Sequence, residues 1–166
     1  MLSPAARELE VLGLGWTVGT PDGGVEAEVL VVHSFEELES LGAEAVQGRI
    51  VLFDVPFTTY GETVAYRRDG PGAAEALGAV AALVRSVSPE SLYTPHTGTT
   101  NYKTRPGIPA AAVTLEDAEW LRGLQEAGTP ARLRLELGAK DGGEGISHNV
   151  IGEIPGREKP EEVVVI

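Results

Sequence analysis

Apolar and polar positions along this chain change period many times, and each period is short. Residues 28–33 and 49–55 are apolar runs rich in Val, Leu, Ile and Phe, the second halted by Pro56. Both read as buried strands. Residues 79–86 and 108–114 form two further apolar runs of smaller side chains. Residues 131–137 alternate Arg132 and Arg134 with Leu133, Leu135 and Leu137, the pattern of a half-buried strand. After a flexible stretch at 141–145, residues 147–154 are the next expected strand. Helical signals lie between these runs. Ser34 with Glu37 three residues on fits a capping box that opens a short helix ending near Gly42. Residues 62–79 are helical in tendency but interrupted by Gly70-Pro71-Gly72, which predicts two short helices or a broken one. Thr114 opens a helix with Leu115, Ala118, Leu121 and Leu124 on one face, closed by Gly128. The count is about seven strands and two or three helices in mixed order, an α+β chain. Residues 87–107 have neither period, and a long irregular segment inside a domain is often functional.

The final run, residues 162–166, is β-branched and uncharged after its first residue. Such a run reads as a strand buried on both faces, yet nothing follows to pair with it. The expectation is a piece of something larger, cut at the doorway of the next domain.

Composition narrows the function more than the fold. The 166 residues suffice for one domain with a real core, and the aromatic fraction of 5% leaves Val, Leu, Ala and Ile to build it. The net charge of −12 argues against nucleic acid and anionic membrane surfaces, which need a positive face. The absence of cysteine excludes disulfides, thiolate nucleophiles and thiolate metal sites. No spanning helix or signal peptide is visible in the sequence.

Candidate chemistry is sparse. Gly13-Leu14-Gly15-Trp16-Thr17-Val18-Gly19 has the wrong spacing for a dinucleotide loop and reads as a glycine-rich strand and turn. Gly70-Pro71-Gly72 could aim helix N–H groups at an anion, but Pro71 is equally explained by helix chemistry. His33, His96 and His148 fall in no local metal motif. His33 and His148 read as strand-end residues, whereas His96 lies in the long irregular segment and is the functional candidate. No serine sits in a nucleophile elbow. Asp54, inside an apolar strand, reads as a carboxylate capping the next turn in preference to a catalytic acid.

Several strings in order carry a resemblance: Leu12-Gly13-Leu14-Gly15 with Gly19-Thr20-Pro21, Gly48-Arg49-Ile50-Val51, Thr63-Val64-Ala65-Tyr66-Arg67, Val84-Arg85-Ser86-Val87, Tyr93-Thr94-Pro95-His96-Thr97-Gly98, Ile108-Pro109-Ala110, Glu116-Asp117-Ala118 and Gly138-Ala139-Lys140. Together they resemble the protease-associated (PA) domain of carboxypeptidase Q-like di-zinc exopeptidases, within the glutamate carboxypeptidase and aminopeptidase superfamily. The resemblance implies a small open β-barrel or sandwich flanked by short helices over residues 1–148. Residues 149–166 would then begin the catalytic peptidase domain. It also implies that the two zinc ions and the catalytic residues lie beyond Ile166, so no cofactor, metal ligand or catalytic residue is expected in this chain.

What the resemblance leaves to this chain is a lid or access role over the catalytic cleft. The segment best placed for it is 91–106, where Tyr93, His96, Thr97, Asn101 and Tyr102 offer aromatic faces and hydrogen-bonding groups. Expected partners are the chain's own catalytic domain, a small peptide substrate and a second copy in a homodimer. A secreted or periplasmic location is implied. Two rival readings remain: a stand-alone peptide- or protein-binding domain, and a complete small hydrolase using His96, Asp54 and a serine.

Overall fold

Val25–Val32 (β2) is the longest strand of the computed structural model, which describes residues 1–103 and 107–164, and it serves two partners in succession. Its first half pairs antiparallel with Arg132–Leu135 (β6), Val25 opposite Leu135 and Glu28 opposite Arg132. Its second half pairs parallel with Ile50–Phe53 (β3), Val29 opposite Ile50. The residue pattern follows this handover. Val25 and Ala27 alternate with Glu26 and Glu28 where one face meets water, then Val29–Val32 is apolar throughout where both faces are covered. Beyond the end of β6, the side-chain amide of Gln125 takes over as β2's neighbour. Its Oε1 accepts from Val31 N at 2.8 Å and its Nε2 donates to Val31 O at 3.0 Å. The strand's polar backbone groups there are satisfied without a further strand.

Ala81–Arg85 (β4) and Ala110–Val113 (β5) continue the parallel set from β3, and Val11–Gly13 (β1) closes the far edge antiparallel to β5. The order is β1-β5-β4-β3-β2-β6. Phe35–Val46 (α1) and Tyr60–Ala76 (α2) cover one face, with Leu38, Val46 and Ala74 packed on Val32, Val51, Phe53 and Val84. Leu115–Glu126 (α3) covers the other, with Ala118 and Leu121 packed on Val31, Leu52, Leu83 and Val113. This is an α+β fold, as expected, with six strands among the described residues where about seven were expected. No helix among them is long and apolar enough to cross a membrane.

The caps form as their residue types require. Ser34 Oγ accepts from Glu37 N at 3.0 Å and Thr114 Oγ1 from Asp117 N at 3.0 Å. Glu37 reaches back one residue further than a capping box needs and accepts from His33 N at 2.6 Å. Helix α1 breaks at Gly42, whose φ of 69° and ψ of 177° are not helical, and a second turn follows because Val46 is fully buried.

Two expectations fail. Helix α2 runs unbroken through Gly70-Pro71-Gly72. Gly70 is there for contact: a Cβ on it would lie 2.9 Å from Phe53 Cε2, so only glycine lets the helix lie this close to β3. The buried flank of α2 then holds a helix that its prolyl residue alone would weaken. The strand expected at 147–154 is absent, and residues 162–164 of the final run form none either; Val165 and Ile166 lie outside the described residues. Residues 141–164 are exposed throughout. Two strands with no third strand or helix to cover them lack independent stability in water.

Candidate functional site

Strands β4 and β5 are parallel neighbours, so the chain must cross from the end of one to the start of the other. Here the crossover carries the irregular segment 87–103 among the described residues. Its own backbone cannot form a ladder, and its polar groups are spent on the rest of the domain instead.

The anchors run in chain order. Ser86 Oγ donates to Val113 O at 2.6 Å and accepts from His96 N at 2.8 Å. His96 Nδ1 sits 2.8 Å from Val87 O. A carbonyl only accepts, so Nδ1 carries the proton, and Nε2 of the neutral ring is left as an acceptor on an exposed side chain. Thr97 Oγ1 donates to Gly13 O at 2.8 Å, Gly15 N to Gly98 O at 2.8 Å, and Thr100 N to Gly15 O at 3.0 Å. Residues 97–100 thus lie along the continuation of β1. Asn101 N donates to Arg68 O at 2.7 Å, tying the segment to α2, and Tyr102 Oη donates to Ile108 O at 2.7 Å. Burial pushes the Tyr102 hydroxyl above its ordinary range.

Tyr93 adopts a left-handed backbone, φ 54°, unusual for an aromatic residue. Its hydroxyl lies 3.1 Å from both Asp117 Oδ1 and Arg7 Nη2, while Arg7 pairs with Asp117 at 2.7 Å and stacks 4.4 Å from the centre of the Trp120 ring. Asp117 is fully buried. The Tyr93 hydroxyl raises the Arg7 pKa, with the Asp117 charge adding to it. One residue earlier on α3, the Ser91 hydroxyl donates to Glu116 at 2.5 Å and holds that carboxyl below its usual range.

Arg67 lies beneath the segment. Its Nη1 donates to Thr97 O at 3.3 Å and its Nη2 to Tyr60 Oη at 2.9 Å. A Cβ on Gly98 would fall 2.3 Å from its Cζ, so the loop needs glycine where it crosses the guanidinium. Sequence reading left Arg67 out of the site. Its signal was available: Thr63, Arg67, Gly70 and Ala74 form the buried stripe of α2 at helical spacing.

Of the expected site residues, Tyr93, His96, Thr97 and Asn101 are exposed and Tyr102 is half-buried. Thr104, Arg105 and Pro106 of the 91–106 segment lie outside the described residues. Asp54 is corrected. It caps no turn; it is fully buried and bridges Arg85 at 2.9 Å and Arg122 at 3.4 Å, fastening the sheet to α3. The serine beside His96, Ser86, bonds its backbone and not its ring, so these groups make no triad. His33 pairs with Glu37 and His148 lies in the exposed tail. The described residues gather no set of three or more histidines and carboxylates able to hold a metal.

Comparison with known proteins places this geometry. The PA domain family is matched over residues 19–121. The chain is similar to Carboxypeptidase Q of Xenopus laevis (45% identical), of Mus musculus (44%) and of Homo sapiens (42%), each over 167 residues, 100% of this chain and 35% of the relative. It therefore spans about a third of the length of these curated relatives. Among solved structures, the Peptidase M28 precursor of Shewanella amazonensis is 29% identical with a TM-score of 0.78, over 82% of this chain and 33% of that one. A zinc aminopeptidase of Bacillus subtilis is 26% identical with a TM-score of 0.52, over 72% of this chain and 26% of that one.

Proposed function

We propose, from the premise that the chain belongs to the PA domain family, that it is the non-catalytic access module of a peptidase resembling Carboxypeptidase Q. Segment 91–106 acts as a lid over the cleft of that enzyme. Tyr93, His96, Thr97, Asn101 and Tyr102 face small peptide substrates entering it. The observation that carries this reading is the construction of the segment: it is bonded down at Ser86, Gly13, Gly15 and Arg68 while most of its polar side chains stay exposed. An irregular loop held rigid on a scaffold is suited to recognition.

Residues 1–148 are the access module on this reading, and residues 149–166 open the catalytic domain. The two zinc ions belong to that domain. The whole protein is secreted or periplasmic, and in the absence of its catalytic sheet the tail pairs with a second copy to give a homodimer. Similarity to Carboxypeptidase Q across the entire chain and to a zinc aminopeptidase supports the parent assignment.

The test is His96→Asn in the longer protein. Asn retains a donor for Val87 O but removes the outward acceptor. The expected result is a fall in kcat/KM for dipeptides of about tenfold, the loss of one substrate contact, with Tm unchanged. A drop in Tm with kcat/KM intact would instead make the residue a structural tie and sink the lid.

A further inference from the structure

Helices α1 and α2 lie on one face of the sheet, and a groove of about 530 Å³ opens between them. Phe35 and Leu38 line it from α1, and Gly72, Ala73, Ala76 and Leu77 from the end of α2. Asn101, Tyr102 and Lys103 of the crossover border it. The groove exists because α2 presents small residues where a filled interface would need large ones: Ala73 is half-buried and Ala76 exposed. Gly72 is small for the sake of the crossover, since a Cβ on it would lie 2.9 Å from Asn101 O. Phe35 is not free to fill the gap, because its ring is stacked on Tyr66 at 4.6 Å and tilted against Phe53 at 5.7 Å. The seat is therefore preformed, and its walls are mainly apolar.

Its shape suits a helix. Gly72 and Ala76 lie one turn apart on α2, and small residues at that spacing let the ridge of another helix sit close. An amphipathic helix docks in such a groove through apolar side chains at i, i+3, i+4 and i+7.

Its charge selects among helices. Helix α1 carries Glu36, Glu37, Glu39 and Glu44 and neither Lys nor Arg. Beyond Arg68, α2 carries Asp69 and Glu75 and no base. Glu39 and Asp69 border the groove itself, against the single cation of Lys103. Asp69 is paired with Arg68 at 2.7 Å, whereas the Glu39 carboxylate has no hydrogen bond or ion pair among the described residues. A second copy of this chain would bring the same acidic helices and be repelled. The chain's own exposed tail fits no better, since residues 149–164 hold four acids against two bases. The chain covers 35% of its curated relatives, so a longer protein of that kind has ample polypeptide to supply a helix.

We propose that this groove receives an amphipathic helix with Lys or Arg flanking its apolar stripe, supplied by the longer protein outside residues 1–166. This docking rests on the chain being one module of a longer peptidase and not on the lid, and its readouts do not involve peptide turnover.

The groove is tested in the purified chain with a capped peptide of about 15 residues built from Leu, Ala and Lys, with Leu at helical spacing. The methyl resonances of Leu38, Ala73, Ala76 and Leu77 are followed during titration. The expected result is a saturable shift of these methyls. Binding should be about tenfold weaker for a peptide with Glu in place of Lys, and for one of the same composition with its Leu residues scattered around the helix. Glu39→Lys should weaken binding several-fold. Ala76→Glu adds a favourable charge but stands in the groove, so it should weaken binding as well. No saturable shift, equal shifts with all three peptides, or tighter binding by Ala76→Glu would overturn the proposal. The source of the helix is tested by Ala76→Cys, in a chain that has no other cysteine. Maleimide labelling at that position, read by mass spectrometry, should be fast in the isolated chain and about tenfold slower in the longer protein. Equal rates would exclude a helix from the longer protein. Slow labelling of the isolated chain that is relieved by deleting residues 146–166 would make the tail the occupant and equally overturn the proposal.

Discussion

Residues 87–103 and residues 143–164 are alike in sequence character: both are irregular, each with two prolines and many polar side chains, and without a helix or strand. The first is bonded at six or more points to β1 and the turn after it, to α2 and to α3. Among the described residues the bonds of the second stay within it or reach Asp141 just before it, such as Gly143 N to Asp141 Oδ1 and Lys159 to Glu162. Irregular sequence therefore says nothing by itself about order. What decides is whether backbone and hydroxyl groups find partners on a scaffold already folded. The crossover passes over the sheet's edge and finds them, whereas the tail leaves past β6 with nothing beside it.

The largest expected effect comes from removing the deepest anchor. Asp117→Ala strips a fully buried carboxylate from Arg7, Tyr93 and the α3 cap region, and should cost about 3 kcal/mol, measured by urea unfolding. Unchanged stability would mean that the crossover is not held from α3. A smaller effect is expected at the crossing point. Gly98→Ala drives a methyl group into the Arg67 guanidinium and should cost about 1–3 kcal/mol. It should also raise hydrogen exchange at Gly15, Thr100 and Asn101, whose amides bond across that contact. Exchange that stays slow there would separate the loop's order from the Arg67 crossing. The smallest effect belongs to the tail. In solution dilute enough that the tail is not paired with a second copy, deleting residues 146–166 should leave Tm within about 1 °C, and a fall beyond about 4 °C would erase the contrast between the two regions.

Much of the scaffold was readable because its signals are local. An unbroken apolar tetrad such as Ile50–Phe53 has few alternatives to a buried strand. Ser34 and Thr114 satisfy nearby N–H groups within a few residues of themselves. The misreadings all involve distant partners. Gly70-Pro71-Gly72 looks like a break until Phe53 is seen lying against it. Residues 147–154 have the composition of a strand but no neighbour here to pair with. Asp54 finds its partners on β4 and α3, more than thirty residues away in sequence. The crossover was legible as an irregular segment, since its lack of period is a local property, but the groups that fix it were not. Arg67 was hidden in a helix whose Thr63 and Ala74 mark the same buried stripe.

The pairing at β6 has a consequence for how this domain is joined to other polypeptide. Arg132 N donates to Ser3 O at 3.2 Å, and Leu2 N donates to Arg132 O at 2.8 Å, so the first residues run beside the last strand. Chain attached before Met1 and chain leaving after Leu137 would depart from the same side of the fold, within a strand's length of each other. A domain with its two ports side by side can be spliced into a host at a single loop without prising the host apart. It would then pivot on that narrow neck as one body, so that small bends at two adjacent linkers become a large sweep at the far rim.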